Sequence, residues 1–158
     1  MKRLTEPQWR AHPLNRFRGG MIGVLCWACF QLIFALLLLV GLIAEGTSLL
    51  FLDPVPDTYE WLLWGAMILG PFLIVPAMLR RLAVVPWLYA GYIGVTFVLM
   101  LGAEGFALNW FSAQRYAEPG GWMGAAIFAL AVTIDLIVIA YLFLGARPNV
   151  IFRRREAA

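Results

Sequence analysis

The sequence predicts an all-α integral membrane protein, an antiparallel bundle of four transmembrane helices with both termini in the cytoplasm. Four apolar segments cover residues 21–44, 61–79, 87–108 and 122–145. At 1.5 Å per helical residue, each can cross a hydrocarbon core of about 30 Å. The 158 residues are 63% hydrophobic, well above the roughly 45–50% of soluble domains. The connections are short, so residues 1–158 are predicted to form a single transmembrane domain.

The charged residues predict the orientation. Five Lys or Arg residues precede the first segment, Arg80 and Arg81 separate the second from the third, and four Arg residues follow the fourth. Eleven of the twelve basic residues therefore share one end of the bundle, and Arg115 is the exception. Because cytoplasmic loops retain Lys and Arg, both termini are predicted to lie in the cytoplasm. Residues 1–20 form a cytoplasmic or interfacial tail, and residues 146–158 form a basic cytoplasmic tail.

The segments carry different helix signals. The first is predicted to be a retained helix, because its 24 apolar residues exceed the h-region of about 7–15 residues in a cleaved signal peptide. The second contains Pro71 and Pro76, and a kink is predicted near Pro71. The third begins at Pro86 and Trp87, a proline position typical of a first helical turn.

A polar group near the middle of the fourth segment is the first candidate for function. An Asp at the bilayer centre costs about 2.5–3.5 kcal/mol on insertion scales, so Asp135 is predicted to face protein or a cavity. Gln31, Tyr92 and Thr96 lie at similar depth. One interpretation is a protonated Asp135 that fixes helix register through a hydrogen bond to Gln31, Thr96 or a carbonyl freed by Pro71. A second interpretation is a proton or cation site. A third is a contact with another subunit or a bound cofactor.

A stripe of small residues runs along the fourth segment: Gly121, Ala125, Ala129 and Thr133. Four-residue spacing of small side chains is typical of close helix packing in membranes. Thr133 and Asp135 lie about 200° apart around a helix, so this segment is predicted to meet protein on two faces. That geometry favours association with another transmembrane subunit or with a second copy.

An ion pair between Glu104 and Arg115 is predicted near the outer headgroups, although each side chain solvated alone explains the sequence equally well. Cys26 and Cys29 are interpreted as small packing residues and not as a redox pair, because they lie in the half of the first segment nearer the reducing cytoplasm. His12 is the single histidine. No catalytic or metal-ligand spacing is found. We expect bound lipid, no cofactor and no nucleic-acid partner.

Three short motifs resemble one family. They are Arg18-Gly19-Gly20 before the first span, Leu79-Arg80-Arg81 followed by Pro86-Trp87-Leu88-Tyr89, and the stretch 139–147 followed by Val150-Ile151-Phe152. Together they resemble a family of small bacterial inner-membrane proteins classified as a domain of unknown function. The family has a proline where this chain has Ala140, and its basic run is reduced to Arg147. The resemblance implies a fold and a location, and no activity.

The sequence thus favours a non-enzymatic membrane protein that serves as an accessory or scaffold subunit of a larger membrane complex. The alternative is an oligomeric proton-coupled small transporter or channel component that uses Asp135. A membrane-bound enzyme or quinone-binding protein is a third possibility.

Overall fold

The computed structural model describes residues 2–49, 58–102, 121–153 and 155–156. The four long helices are α2 (Gly20–Leu49), α3 (Thr58–Leu79), α4 (Val85–Gly102) and α5 (Gly121–Leu144), preceded by α1 (Glu6–Ala11) and followed by α6 (Ala146–Arg153). The predicted helical fold is confirmed. The structure adds a short antiparallel pair between β1 (Lys2–Arg3) and β2 (Arg155–Glu156), with Lys2 opposite Glu156.

The long helices alternate in direction around a shared core. Met21 near the start of α2 and Tyr89 near the start of α4 pack in one cluster with Met78 at the end of α3 and Leu142 at the end of α5. All four of these side chains are fully buried. Since starts of two helices meet ends of the other two, the bundle runs up and down.

Three of the described helices are long and apolar enough to cross a membrane. The corresponding spans are Gly20–Gly41, Trp61–Leu79 and Ala126–Leu144. Val85–Leu101 is equally apolar but shorter within the described part of the chain. Their outward side chains are largely apolar, with Ile43 72% exposed, a surface that suits lipid and would be unstable in water. The prediction of an integral membrane protein is therefore supported by the structure.

The two tails and the α3–α4 turn form a polar cap over one end of the bundle. We define this cap as residues 2–19, 80–84, 145–153 and 155–156. Trp9 Nε1 donates to the Val150 carbonyl at 2.8 Å, and Arg147 donates to the Arg16 carbonyl at 3.0 Å. Inside the cap, Phe152 is buried. The predicted interfacial tail is therefore an ordered layer with its own helix, α1.

Two glycines allow close approaches that position the helices. Gly19 adopts a positive φ of 56° as the chain turns into α2, a conformation that glycine takes without steric cost. A Cβ on Gly20 would stand 3.0 Å from the Tyr141 ring, so Gly20 lets α2 and α5 meet. α3 continues as one helix through Pro71 and Pro76.

Candidate ligand site around Asp135

Three neutral donors from two other helices converge on one carboxylate oxygen. Asp135 Oδ1 accepts hydrogen bonds from Tyr89 Oη at 2.6 Å, Trp27 Nε1 at 2.7 Å and Gln31 Nε2 at 3.0 Å. Tyr89 comes from α4, and the other two donors come from α2, one turn apart. Hydrogen bonds to an ionised group are roughly twice as strong as those between neutral groups. The three donors therefore hold Asp135 in one fixed position inside the bundle.

The cluster lies near the middle of the apolar spans of α2 and α5, and Tyr89 reaches it from near the start of α4. Asp135 is the central residue of the span Ala126–Leu144, and Gln31 stands beside the midpoint of Gly20–Gly41. Gly70 is central in Trp61–Leu79. The predicted polar layer at this depth is thus built from α2, α4 and α5, and α3 contributes its least bulky residue there.

A cavity of about 490 Å³ begins at the cluster and extends away from the polar cap. Asp135, Gln31, Thr96 and Tyr92 line it, together with apolar side chains from all four long helices. The apolar lining consists mostly of aromatic and aliphatic residues: Trp27, Phe30, Phe34, Met67, Ile93, Phe97, Met100, Ile127, Phe128, Ala131 and Val132. A largely apolar cavity with a few convergent polar groups is the usual form of a small-molecule site.

Several acceptors around this cavity lack a donor. Gln31 Oε1 and Thr96 Oγ1 are buried and have no hydrogen-bond partner within the described part of the chain. Pro71 has no N–H, so the Met67 carbonyl one turn earlier loses its helical donor. A buried polar atom left without a partner costs about 1–3 kcal/mol. Such an arrangement is more stable when a bound molecule supplies the missing hydrogen bonds.

The structure brings together some of the predicted site residues. Gln31 donates directly to Asp135. Tyr92 and Thr96 line the cavity beside them and are not donors to Asp135. The Tyr92 ring instead packs so closely on Gly70 that a Cβ at this position would collide with it. Of the three expected partners of Asp135, the structure shows Gln31, and the other two donors are the indole of Trp27 and the phenol of Tyr89.

Trp27 and Tyr89 are the functional residues that sequence reasoning missed. Both carry a polar group on a large ring, a combination that is also typical of the membrane interface. Their spacing is the signal that could have identified them. Trp27 precedes Gln31 by four residues, and Tyr89 precedes Tyr92 by three, so each pair shares a helix face.

The described part of the small-residue stripe, Ala129 and Thr133, faces outward. Ala129 and Thr133 are exposed, and the Thr133 hydroxyl donates to the Ala129 carbonyl at 2.7 Å. Asp135 points into the bundle from the opposite face of α5, so the two faces are separated as their spacing indicates. The side chains of Gly121 and Ala125 lie outside the described set. Glu104 and Arg115, the predicted ion pair, lie outside the described residues.

The remaining candidates lie away from the cluster. Cys26 is exposed, Cys29 is half-buried, and both thiols are free. The sequence predicted that Cys26 packs inside the bundle, and this prediction is wrong because its side chain is exposed. His12 accepts a hydrogen bond from the Leu14 backbone within the polar cap. Within residues 2–49, 58–102, 121–153 and 155–156, no group of three or more His, Cys, Asp or Glu side chains could hold a metal ion.

No protein-family model, curated protein or solved structure matches this chain. Function is therefore inferred from the chemistry of the Asp135 cluster and its cavity.

Proposed function

We propose that this protein is an oligomeric, proton-coupled small transporter or channel component that works through Asp135. The observation that carries the proposal is the position of this carboxylate at the inner end of a cavity halfway along the bundle. All three of its donors bind Oδ1. The second oxygen, Oδ2, is then the atom that takes up a proton or a cation. An intramembrane carboxylate in contact with a cavity is typical of proton and ion pathways.

We further propose four membrane spans in a bacterial inner membrane, with both termini in the cytoplasm. The concentration of Lys and Arg in the polar cap supports this orientation. At the other end of α3, Trp61 and Trp64 form an edge-to-face pair with ring centroids 5.2 Å apart, as expected at a lipid–water interface. The bacterial part of this proposal rests on the resemblance of the three short motifs to a bacterial inner-membrane family.

The cap-side half of the bundle supplies the barrier that a transporter requires. Between Asp135 and the cap, Val138 and Leu142 are buried against Met78 and Met21. Because this half is packed and apolar, a proton on Asp135 would pass to the cap side only when these helices move apart. A change in Asp135 protonation would act on α2 and α4 through the three donors to Oδ1.

Proton flux in proteoliposomes tests the proposal. The full chain is reconstituted with a pH-sensitive dye inside the vesicles, and a potassium diffusion potential drives proton entry. We expect faster acidification than in empty vesicles, and we expect Asp135→Asn to lower the rate to the empty-vesicle level. Thr133→Val is the matched control, because Thr133 lies on the same helix and faces outward. Equal rates for the wild type and Asp135→Asn would contradict the proposal.

A second candidate function is that of an accessory or scaffold subunit. The outward position of Ala129 and Thr133 favours it, because small residues on a lipid-facing surface allow another helix to approach. Purification in mild detergent at native expression, followed by native mass spectrometry, would then reveal stoichiometric partner subunits. A homo-oligomer would favour the transporter proposal. A monomer without partners would argue against both a subunit role and an oligomeric transporter.

A further inference from the structure

We propose that the cavity binds a lipophilic amine in its protonated, ammonium form. This inference rests on the proposed function, since it identifies the class of molecule that the Asp135 site would take. It depends on three properties of the cavity: its charge, its unpaired acceptors and its aromatic walls.

The charge of the site favours a cation. Asp135 has no salt bridge to a Lys or Arg within the described part of the chain, and its three donors are all neutral. The described basic residues, including Arg81 and Arg147, belong to the polar cap. A carboxylate away from water is stable when it is paired or protonated. An ammonium group would supply the missing positive charge, whereas an anionic ligand would be repelled.

The unpaired hydrogen-bonding groups also favour an ammonium. The amide nitrogen of Gln31 is used on Asp135, so this side chain presents its oxygen. Thr96 Oγ1 is a second oxygen without a partner, and Thr96 lies on the wall of the cavity. An ammonium carries N–H donors and no acceptor. One primary or secondary ammonium head could therefore satisfy Asp135 Oδ2 and at least one of these oxygens together.

The walls suit a lipophilic body. Trp27 and Phe30 stack with ring centroids 5.4 Å apart at the edge of the cavity. Phe34, Phe97 and Phe128 continue the aromatic lining. A cation near such rings gains about 0.5–2 kcal/mol from the ring quadrupoles. The volume of about 490 Å³ lies inside the range of roughly 300–1,000 Å³ seen for sites that take drug-sized molecules.

Binding of three matched probes to the purified full chain in detergent tests this inference. The probes share a naphthylethyl body and differ in head group: primary ammonium, trimethylammonium or hydroxyl. Isothermal titration calorimetry should give at least about tenfold tighter binding for the ammonium than for the neutral alcohol, because the ammonium adds a full positive charge to the hydrogen bond that either head group can donate to Asp135. Asp135→Asn should remove this preference.

Thr96→Val provides a test that does not disturb the Asp135 cluster. The variant is expected to weaken the primary ammonium about fivefold, the loss typical of one hydrogen bond, and to leave the trimethylammonium unchanged because that head has no N–H. Equal affinity for all three probes in the wild type would overturn the inference and would indicate a cavity for lipid chains. An equal effect of Thr96→Val on both cationic probes would overturn the hydrogen-bonding part.

The two proposals fail separately. Proton flux that depends on Asp135, without a preference for the ammonium probe, would refute the ligand class and leave the transport proposal standing. Tight ammonium binding that depends on Asp135, without proton flux, would refute transport and leave the binding site standing.

Discussion

The two halves of this bundle, divided at Asp135, are packed in opposite ways. On the cap side, Met21, Ile74, Met78 and Leu142 are fully buried and interlock around Tyr89. On the other side, the same four helices surround a cavity of about 490 Å³, and its wall residues Phe34 and Phe97 are 50% and 45% exposed. One set of helices thus forms a packed core at one end and an open site at the other.

The difference between the halves shows how a small membrane protein can combine rigidity with a binding space. In lipid, helices associate through packing and hydrogen bonds, because the hydrophobic effect no longer drives them together. The packed half supplies those contacts and fixes the direction of α2 and α5. Trp27 and Tyr89 lie at the boundary between the halves, so the packed half holds these two donors to Asp135 in place. A ligand or proton would reach Asp135 from the open half.

The strongest test of this comparison uses two methionines of α3. Met78 is fully buried in the packed half, and Met67 lines the cavity. They are eleven residues apart, which places them on the same helix face. We expect Met78→Ala to lower the unfolding free energy by about 2–5 kcal/mol, because it leaves a new void. We expect Met67→Ala to cost about 1 kcal/mol or less, because the space beside it is already open.

Reversible unfolding of the detergent-solubilised protein by sodium dodecyl sulfate, followed by circular dichroism, would measure both variants. Equal losses for Met78→Ala and Met67→Ala would show that the halves are packed alike in the membrane and that the cavity is closed. Leu136→Ala is a useful control on α5, since Leu136 is 60% exposed on the lipid-facing surface.

A smaller effect is expected at the boundary between the halves. Tyr89→Phe removes the shortest hydrogen bond to Asp135, at 2.6 Å, and should destabilise the protein by about 1.5–3 kcal/mol, the range for hydrogen bonds to charged groups. Tyr92→Phe is the matched control, because Tyr92 lies one turn away and is not a donor to Asp135. The same unfolding assay measures both. If Tyr92→Phe cost as much as Tyr89→Phe, the hydrogen bond to Asp135 would not explain the loss.

The helices and their depth could be predicted from the sequence, because long apolar segments depend on local composition alone. A contact between Gln31 and Asp135 could be predicted, because few polar side chains lie at that depth. The cavity could not be predicted, because it depends on how large side chains from four helices fit together. Trp27 and Tyr89 were missed for another reason: their rings suit a core, an interface or a polar cluster equally well.

The polar cap gives the smallest expected effect and tests whether the packed half extends beyond the helices. Arg81 lies just after the end of α3 and has a positive φ of 55°. Hydrogen bonds from Arg81 N to Met78 O and from Leu82 N to Ala77 O stabilise this turn. A left-handed conformation costs a non-glycine residue roughly 1–2 kcal/mol. Arg81 also donates to Asn15 Oδ1 at 3.0 Å, and its guanidinium lies 5.5 Å from the Phe17 ring centroid.

These contacts tie the N-terminal tail to the α3–α4 turn and offset the strain at Arg81. Arg81→Ala keeps the strain and loses the contacts, and we expect it to lower the unfolding free energy by about 1–2 kcal/mol, because it removes one hydrogen bond and the long cation–π contacts with Phe17 and Trp9. Arg81→Gly loses the same contacts but relieves the strain, so it should be about 1 kcal/mol more stable than Arg81→Ala. Limited proteolysis of the tail measures its release directly. If the tail of Arg81→Ala resisted proteolysis as well as the tail of the wild type, the Arg81 contacts would not be what holds it. The rigid half would then consist of the helices without the cap.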